Sequence, residues 1–214
     1  ATPNYERAGI EYAVHTNLNT IRMEGFWGHD QHIFDLCDEK GLLVVAGFSC
    51  QWEWTEYFGG NFEDTNGAII TPRQIDIAAK SWHDQIVRLR NHPSVFLWLY
   101  GSDKWPRPEL EQKYLDILKA DDPTRPYVQS AGQWVSEITG PTGVKMRGPY
   151  DYVPPDYWYI DKLNGGAFGF NTETGPGPEI PVLESLEKMI PKDSLWPIGS
   201  SWLYHAARVT FHNL

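Results

Sequence analysis

Asn91-His92-Pro93-Ser94-Val95-Phe96-Leu97-Trp98-Leu99-Tyr100-Gly101-Ser102-Asp103 is the stretch whose reading decides the fold. Its centre, Val95 to Tyr100, is an unbroken apolar run with the length and the β-branched and aromatic content of a strand buried on both faces. Pro93 stands just ahead of that strand, where no ladder hydrogen bond is lost. Gly101 ends the run, and a carboxylate, Asp103, follows two residues later. An acid just past the C-terminal end of a buried parallel strand lies where α/β barrels place their chemistry. Attention therefore falls on Asp103 and on a second acid able to face it.

Upstream, Pro72 suits the first turn of a helix that Ile75, Ala78, Ala79, Trp82, Ile86, Val87 and Leu89 carry to Arg90. Residues 51–71 hold Trp52, Trp54, Tyr57 and Phe58 among Gly and Asn residues, a long loop of the kind that carries function. Leu42 to Phe48 reads as a second buried strand. His29 to Lys40 reads as an amphipathic helix with Ile33, Leu36 and Cys37 inward and Gly41 as its C-cap. Asn17 to Gly25 is a short strand running into a glycine turn, and Pro3 to His15 is a helix with Ala8, Tyr12 and Val14 on one side.

Downstream, a helix covers Pro108 to Ala120 and a short strand Tyr127 to Ser130, while residues 131–148 look irregular. Gly148 to Tyr152 reads as a strand end, followed by an aromatic loop from Val153 to Tyr159. Ala167 to Asn171 reads as a small-residue strand closing at Glu173, and Pro181 to Ile190 as a helix. Strands alternating with helices imply a parallel sheet. Roughly six β/α units fit, short of the eight in a closed (β/α)8 TIM barrel. An open doubly wound sheet has the same periodicity, but no Gly-rich phosphate turn follows the first strand, so an α/β barrel is the better reading.

The 18 Lys and Arg against 28 Asp and Glu give a net charge of −10, which argues against nucleic acid as a partner. The 10 Trp and 11 Tyr are rich for 214 residues; core filling accounts for most, and sugar stacking for a few. Cys37 and Cys50 show no metal or redox spacing and read as buried thiols. No stretch approaches a membrane span. His29-Asp30-Gln31-His32 has helical ligand spacing, but capping of a helix start explains it better than a metal. The expectation is therefore no metal, no cofactor and no membrane partner. The chain starts without Met and stops abruptly, as an excised piece of a longer protein would.

Glu173 follows its strand as closely as Asp103 follows its own. In a barrel both strand ends open on one face, so the two carboxylates can approach across the mouth. A retaining glycosidase needs such a pair, roughly 5–5.5 Å apart, one as acid and one as nucleophile. Helix capping at Asp103 and a Gly-Pro turn after Glu173 explain the same positions without chemistry.

A resemblance bears on that choice. Asn91 to Val95 with its strand, Gly101 and an acid resembles the acid/base strand of glycoside hydrolase family 2. Leu18-Asn19-Thr20-Ile21-Arg22 resembles the family's second barrel strand, Asp38 to Val44 its junction into the third, and Asp121-Asp122-Pro123-Thr124-Arg125-Pro126 its entry to the fifth. These motifs run in the family's order over nearly the whole chain. Most members carry Asn-Glu where this chain has Ser102-Asp103. That pair, with Arg22-Met23-Glu24-Gly25, Gly148 to Pro155 and Phe170 to Thr174, is similar to the exo-β-D-glucosaminidases of the family.

The resemblance implies a catalytic-barrel fragment, residues 1–214 as a single domain, with the first and last strands missing. It implies a retaining, exo-acting hydrolase that releases terminal β-linked glucosamine from chitosan or its oligosaccharides, in a secreted, extracellular parent protein whose remaining domains are its partners. Asp103 is then the acid/base and Glu173 the nucleophile. Glu24 takes the position that reads the C2 ammonium through charge-assisted hydrogen bonds. A salt bridge to Arg22 is the other reading of Glu24, since both point to one side of a strand. Arg22, Ser102, Asn171, Tyr150 and Trp202 complete the expected substrate contacts. A β-mannosidase or other hexosidase of the family is the alternative, and a non-catalytic carbohydrate-binding barrel remnant is the alternative of a different class.

Overall fold

The computed structural model describes residues 2–25, 30–50, 52–55, 62–146, 157–160, 169–173 and 181–205. The chain forms two compact units, Ala1–Met146 and Arg147–Leu214.

In the first unit helix α1 (Pro3–His15) leads to strand β1 (Thr20–Met23), helix α2 (His32–Lys40) to β2 (Leu43–Gly47), and α3 (Pro72–Leu89) to β3 (Val95–Leu99). Helix α4 (Pro108–Asp121) and strand β4 (Tyr127–Val128) follow, then a small hairpin of β5 (Val135–Ser136) and β6 (Gly140–Pro141). Strands β1 to β4 form one parallel sheet in sequence order. This is the β/α alternation of the expected barrel, and each helix begins where its chemistry allows. Pro3 and Thr2 open α1, and Thr71 with Gln74 forms a capping box ahead of Pro72 in α3. Gly41 closes α2 with φ +70°, the left-handed turn that favours glycine.

One face of the sheet carries Val44, Ala46, Phe48, Val95, Trp98 and Tyr100 against the helices, packed on Trp82, Ile86, Tyr114 and Leu118. The aromatic rings there meet edge to face; Trp82 and Trp98 have centroids 5.7 Å apart at 81°. The opposite face holds Val45, Leu97, Leu99 and Ala131, the layer that fills a barrel interior. The β2–β3 register shifts between Val44↔Val95 and Val45↔Leu97, so Phe96 is one residue in excess on β3.

Two helix faces differ from the expectation. In α1 the buried residues are Glu6, Ile10 and Ala13, while Ala8, Tyr12 and Val14 are exposed. Glu6 turns inward because its carboxylate pairs with His32 Nδ1 at 2.8 Å. In α3 Val87 is exposed and Gln85 is buried, its amide donating to the Gly47 carbonyl at 2.9 Å. Residues 131–146, expected to be irregular, hold the β5–β6 hairpin, pinned to α4 by hydrogen bonds from Ser136 and Thr139 to buried Glu111.

The second unit contains helices α5 (Tyr157–Ile160), α6 (Leu183–Met189) and α7 (Ser200–His205), with a 3₁₀ turn at Lys192–Ser194. The α6 helix falls within the expected span. Over residues 169–173 no strand forms; Asn171 makes a single β-bridge. The expected strand end at 148–152 lies outside the described residues.

Candidate active site

Because β1, β2, β3 and β4 run parallel, everything that follows their C-terminal ends gathers at one edge of the sheet. Arg22 and Glu24 come from β1, Ser49 and Cys50 from beyond β2, Ser102 and Asp103 from beyond β3, and Ser130 to Gly132 from beyond β4. Glycine at the strand ends permits this crowding. A Cβ at Gly47 would run into the Met23 carbonyl, and one at Gly101 into the Gln129 carbonyl.

The expected contacts Arg22, Glu24, Ser102 and Asp103 meet here. Arg22 Nη2 donates to Ser102 Oγ at 3.2 Å, and Ser102 Oγ lies 3.5 Å from Asp103 Oδ1. Ser102 is fully buried, Arg22 and Asp103 half-buried, and Glu24 exposed. Burial and the negative charge of Glu24 push the Asp103 carboxyl above its ordinary value; Arg22, the Ser102 hydroxyl and Lys104 pull it back only in part. Asp103 therefore holds its proton to higher pH than a free aspartate, as an acid catalyst must.

Asn171, Glu173 and Trp202 belong to the second unit. Asn171 and Glu173 are half-buried. Trp202 lies in α7 and donates its indole N–H to the Leu195 carbonyl at 3.0 Å. Tyr150 lies outside the described residues.

Three neighbours of Asp103 were not among the expected contacts. Glu53, in the loop after β2, is 4% exposed. Its Oε1 accepts from the Ser102 amide at 2.6 Å and from Ser49 Oγ at 2.9 Å, and its Oε2 from the Lys104 amide at 3.1 Å. Burial lifts the Glu53 carboxyl to about 7 against those hydrogen bonds, and Asp103 adds to the rise. Cys50, expected to be buried, is half-exposed. Its thiol is pushed up to about 12 by burial and by Glu24 and Asp103, which outweigh a hydrogen bond with Ser102, and it stays neutral beside them. Trp134 donates its indole N–H to the Asp103 carbonyl at 2.8 Å and stacks on Trp105 with centroids 4.6 Å apart. The only advance signal for Glu53 was an acid inside a long loop after a buried strand.

Of the His29-Asp30-Gln31-His32 run, His29 lies outside the described residues. Asp30 Oδ1 accepts from the His32 amide at 3.1 Å, a local turn contact at the start of α2. Asp35, Asp38 and His92 approach one another closely enough to hold an ion, yet Asp38 is engaged by His92 Nδ1 at 2.7 Å and the Ser94 amide at 2.8 Å. Among the described residues no helix is long and apolar enough to cross a membrane.

Comparison with known proteins gives this geometry a family. The description "Glycosyl hydrolases family 2, TIM barrel domain" matches residues 9–147. An exo-beta-D-glucosaminidase of Streptomyces avermitilis is 41% identical over 204 residues, covering 94% of this chain and 22% of the relative. One from Amycolatopsis orientalis is 39% identical over 211 residues, covering 96% of this chain and 20% of the relative. The chain thus spans about a fifth of the length of these curated relatives. The solved structure of Amycolatopsis orientalis exo-chitosanase CsxA matches with a TM-score of 0.79 at 36% identity, over 92% of this chain and 23% of that one. CsxA has also been solved in complex with PNP-beta-D-glucosamine. The match to the family's barrel over the whole parallel sheet, in a chain whose strand ends collect Arg22, Glu24, Ser102 and Asp103, makes this protein a member of glycosyl hydrolase family 2, with its sheet part of that family's TIM barrel domain.

Proposed function

We propose that the full-length protein is a retaining, exo-acting glycosidase that releases terminal β-linked D-glucosamine from chitosan or chitooligosaccharides. The observation that carries this reading is Asp103 just beyond the end of β3, half-buried, with its carboxyl pushed above its ordinary value by burial and by a second carboxylate, Glu24. Asp103 donates its proton to the glycosidic oxygen while Glu173 attacks the anomeric carbon. Water then resolves the glycosyl-enzyme, with Asp103 acting as base. Glu24 pairs with the C2 ammonium, and Arg22 and Ser102 orient the sugar beside Asp103. Asn171, Tyr150 and Trp202 complete the sugar site. The names of the relatives, exo-beta-D-glucosaminidases at 39–41% identity, support the substrate. Their greater length supports further domains beside the barrel, and a polymer substrate supports an extracellular location.

Glu173→Gln is expected to abolish turnover of a chitosan oligomer while leaving its binding largely intact; normal turnover in this variant removes the nucleophile assignment. Glu24→Ala is expected to weaken kcat/KM for the amino sugar at least tenfold more than for its N-acetyl and 2-hydroxy counterparts, since about 1.5–3 kcal/mol attaches to a hydrogen bond with a charged group. Equal losses on all three substrates would show that Glu24 does not read the amine.

A further inference from the structure

The turn that carries Asp103 is held from two sides. On its carbonyl side, Ser102 O accepts from Ser130 Oγ at 2.5 Å and from the Ala131 amide at 3.0 Å, and Asp103 O accepts from Trp134 Nε1 at 2.8 Å. On its amide side, the Ser102 and Lys104 N–H groups bracket Asp103 and both point at one carboxylate. We infer that Glu53 is a positioning residue for Asp103, fixing the turn on which the acid stands through the backbone amides on either side of it. The inference rests on the acid/base role proposed above for Asp103.

A carboxylate suits this task for a geometric reason. Its two oxygens are a fixed distance apart in one plane, so two amides bound to them keep a fixed separation as well. Both bonds are charge-assisted when Glu53 is ionised, and the Ser49 hydroxyl, shared between Glu53 and the Tyr100 carbonyl, adds a third donor. Burying a carboxylate is unfavourable unless donors of this kind surround it. The same burial keeps Glu53 off the substrate. Beside it lies a cavity of about 10 Å³ lined by Ser49, Asn66, Ile69, Tyr100 and Tyr114, room for a water at most and not for a sugar. Glu53 therefore acts through Asp103 rather than on the reacting atoms.

Leaving-group chemistry separates this role from a merely structural one. An aryl glucosaminide with a strongly activated phenol departs without a proton, whereas an alkyl glucosaminide or a chitosan oligomer requires one. Misplacing the acid should slow the second kind of substrate and spare the first. Glu53→Gln keeps the size but presents an NH2 donor to one of the two amide donors, breaking half of the bracket. In the full-length protein, Glu53→Gln is expected to cut kcat/KM for a chitosan oligomer about tenfold or more while changing it less than about twofold for a dinitrophenyl glucosaminide. Asp103→Ala, assayed beside it, is expected to show the same selectivity to a larger degree.

If Glu53→Gln does not accumulate as folded protein, Ser49→Ala carries the comparison with a smaller loss, about two- to fivefold, again confined to the substrate that needs the proton. Equal losses on both substrates would overturn the positioning role. Asp103→Ala without leaving-group selectivity would overturn the acid assignment itself, and this inference with it. Selectivity in Asp103→Ala but not in the Glu53 and Ser49 variants would overturn the positioning role alone.

Discussion

A carboxyl group that is to give up a proton near neutrality must first be made to keep it, and at Asp103 two neighbours set that balance in opposite directions. On top of burial, which raises the Asp103 pKa most, Glu24 raises it by its negative charge and Arg22 lowers it by its positive charge. In the acid/base role proposed for Asp103 the working form is protonated, so activity is expected to fade as pH rises through that pKa. Glu24→Gln removes that raising charge, and the basic limb of the kcat/KM profile is expected to move to lower pH. Arg22→Gln is expected to move the limb the opposite way. Limb positions are read separately from the height of the profile, so lost substrate affinity does not disguise the shift. Limbs that stay in place in both variants would mean that another group governs that limb. The position of Asp103 was legible in the sequence because it follows an apolar run whose end fixes its place, whereas Glu24, after Thr20-Ile21-Arg22-Met23, stood out only through the family resemblance. Glu53 was not, because its partners are amides 49 and 51 residues further along, and nothing local to it records them.

Three of the motifs that carried the family resemblance, around Asp38, His92 and Asp122, secure the opposite end of the same strands. Asp38, at the end of α2, accepts from His92 Nδ1 at 2.7 Å and the Ser94 amide at 2.8 Å just ahead of β3. Asp122 accepts from Trp98 Nε1 at 2.8 Å and from Arg125 at 2.5 Å, and Arg125 reaches back to the carbonyls of Val95 and His92. These contacts tie helix to strand and strand to strand at the N-terminal edge, away from the chemistry. Burial acts to raise the Asp38 pKa, but the hydrogen bonds from Ser94 and His92 outweigh it and hold the carboxyl below its ordinary value. With a depressed pKa, the stability Asp38 supplies is complete above its unfolded value and is lost as pH falls through the folded one. Asp38→Ala is expected to cost about 1–3 kcal/mol at neutral pH, with the difference from the parent protein shrinking in acid. Denaturant melts of both proteins at several pH values check this, and a constant difference down to acid pH would remove Asp38 as the titrating lock. Element identity was readable wherever an apolar period and a cap agreed, as in α3. The buried face of α1 was not readable, because Glu6 is drawn in by His32 from another helix and periodicity cannot announce a polar residue turned inward.

Over these 214 residues the net charge is −10, and the site is proposed to receive a polyamine. A glucosamine oligomer carries a charge on each residue below its amine pKa, so attraction grows with chain length and is weakened by salt. kcat/KM for a longer chitosan oligomer is expected to fall about threefold or more between low and high salt, while an aryl glucosaminide with one amine changes little. A salt response independent of oligomer length would confine recognition to the terminal sugar. The barrel class was legible at this scale because β/α alternation repeats along the first unit. The β5–β6 hairpin was not, because what pins it is the buried carboxylate of Glu111 on α4. One detail of the sheet has a bearing on how such chains are to be compared. Phe96 is surplus to the β2–β3 pairing, and Val95, Leu97 and Trp98 alternate across the sheet as though it were absent. A relative lacking that residue would keep every inward and outward position unchanged. Against a relative one residue shorter over this strand, the gap would belong inside the apolar run after Val95, because a gap moved beyond Gly101 would set Leu97 to Gly101 one residue out of step and exchange their faces.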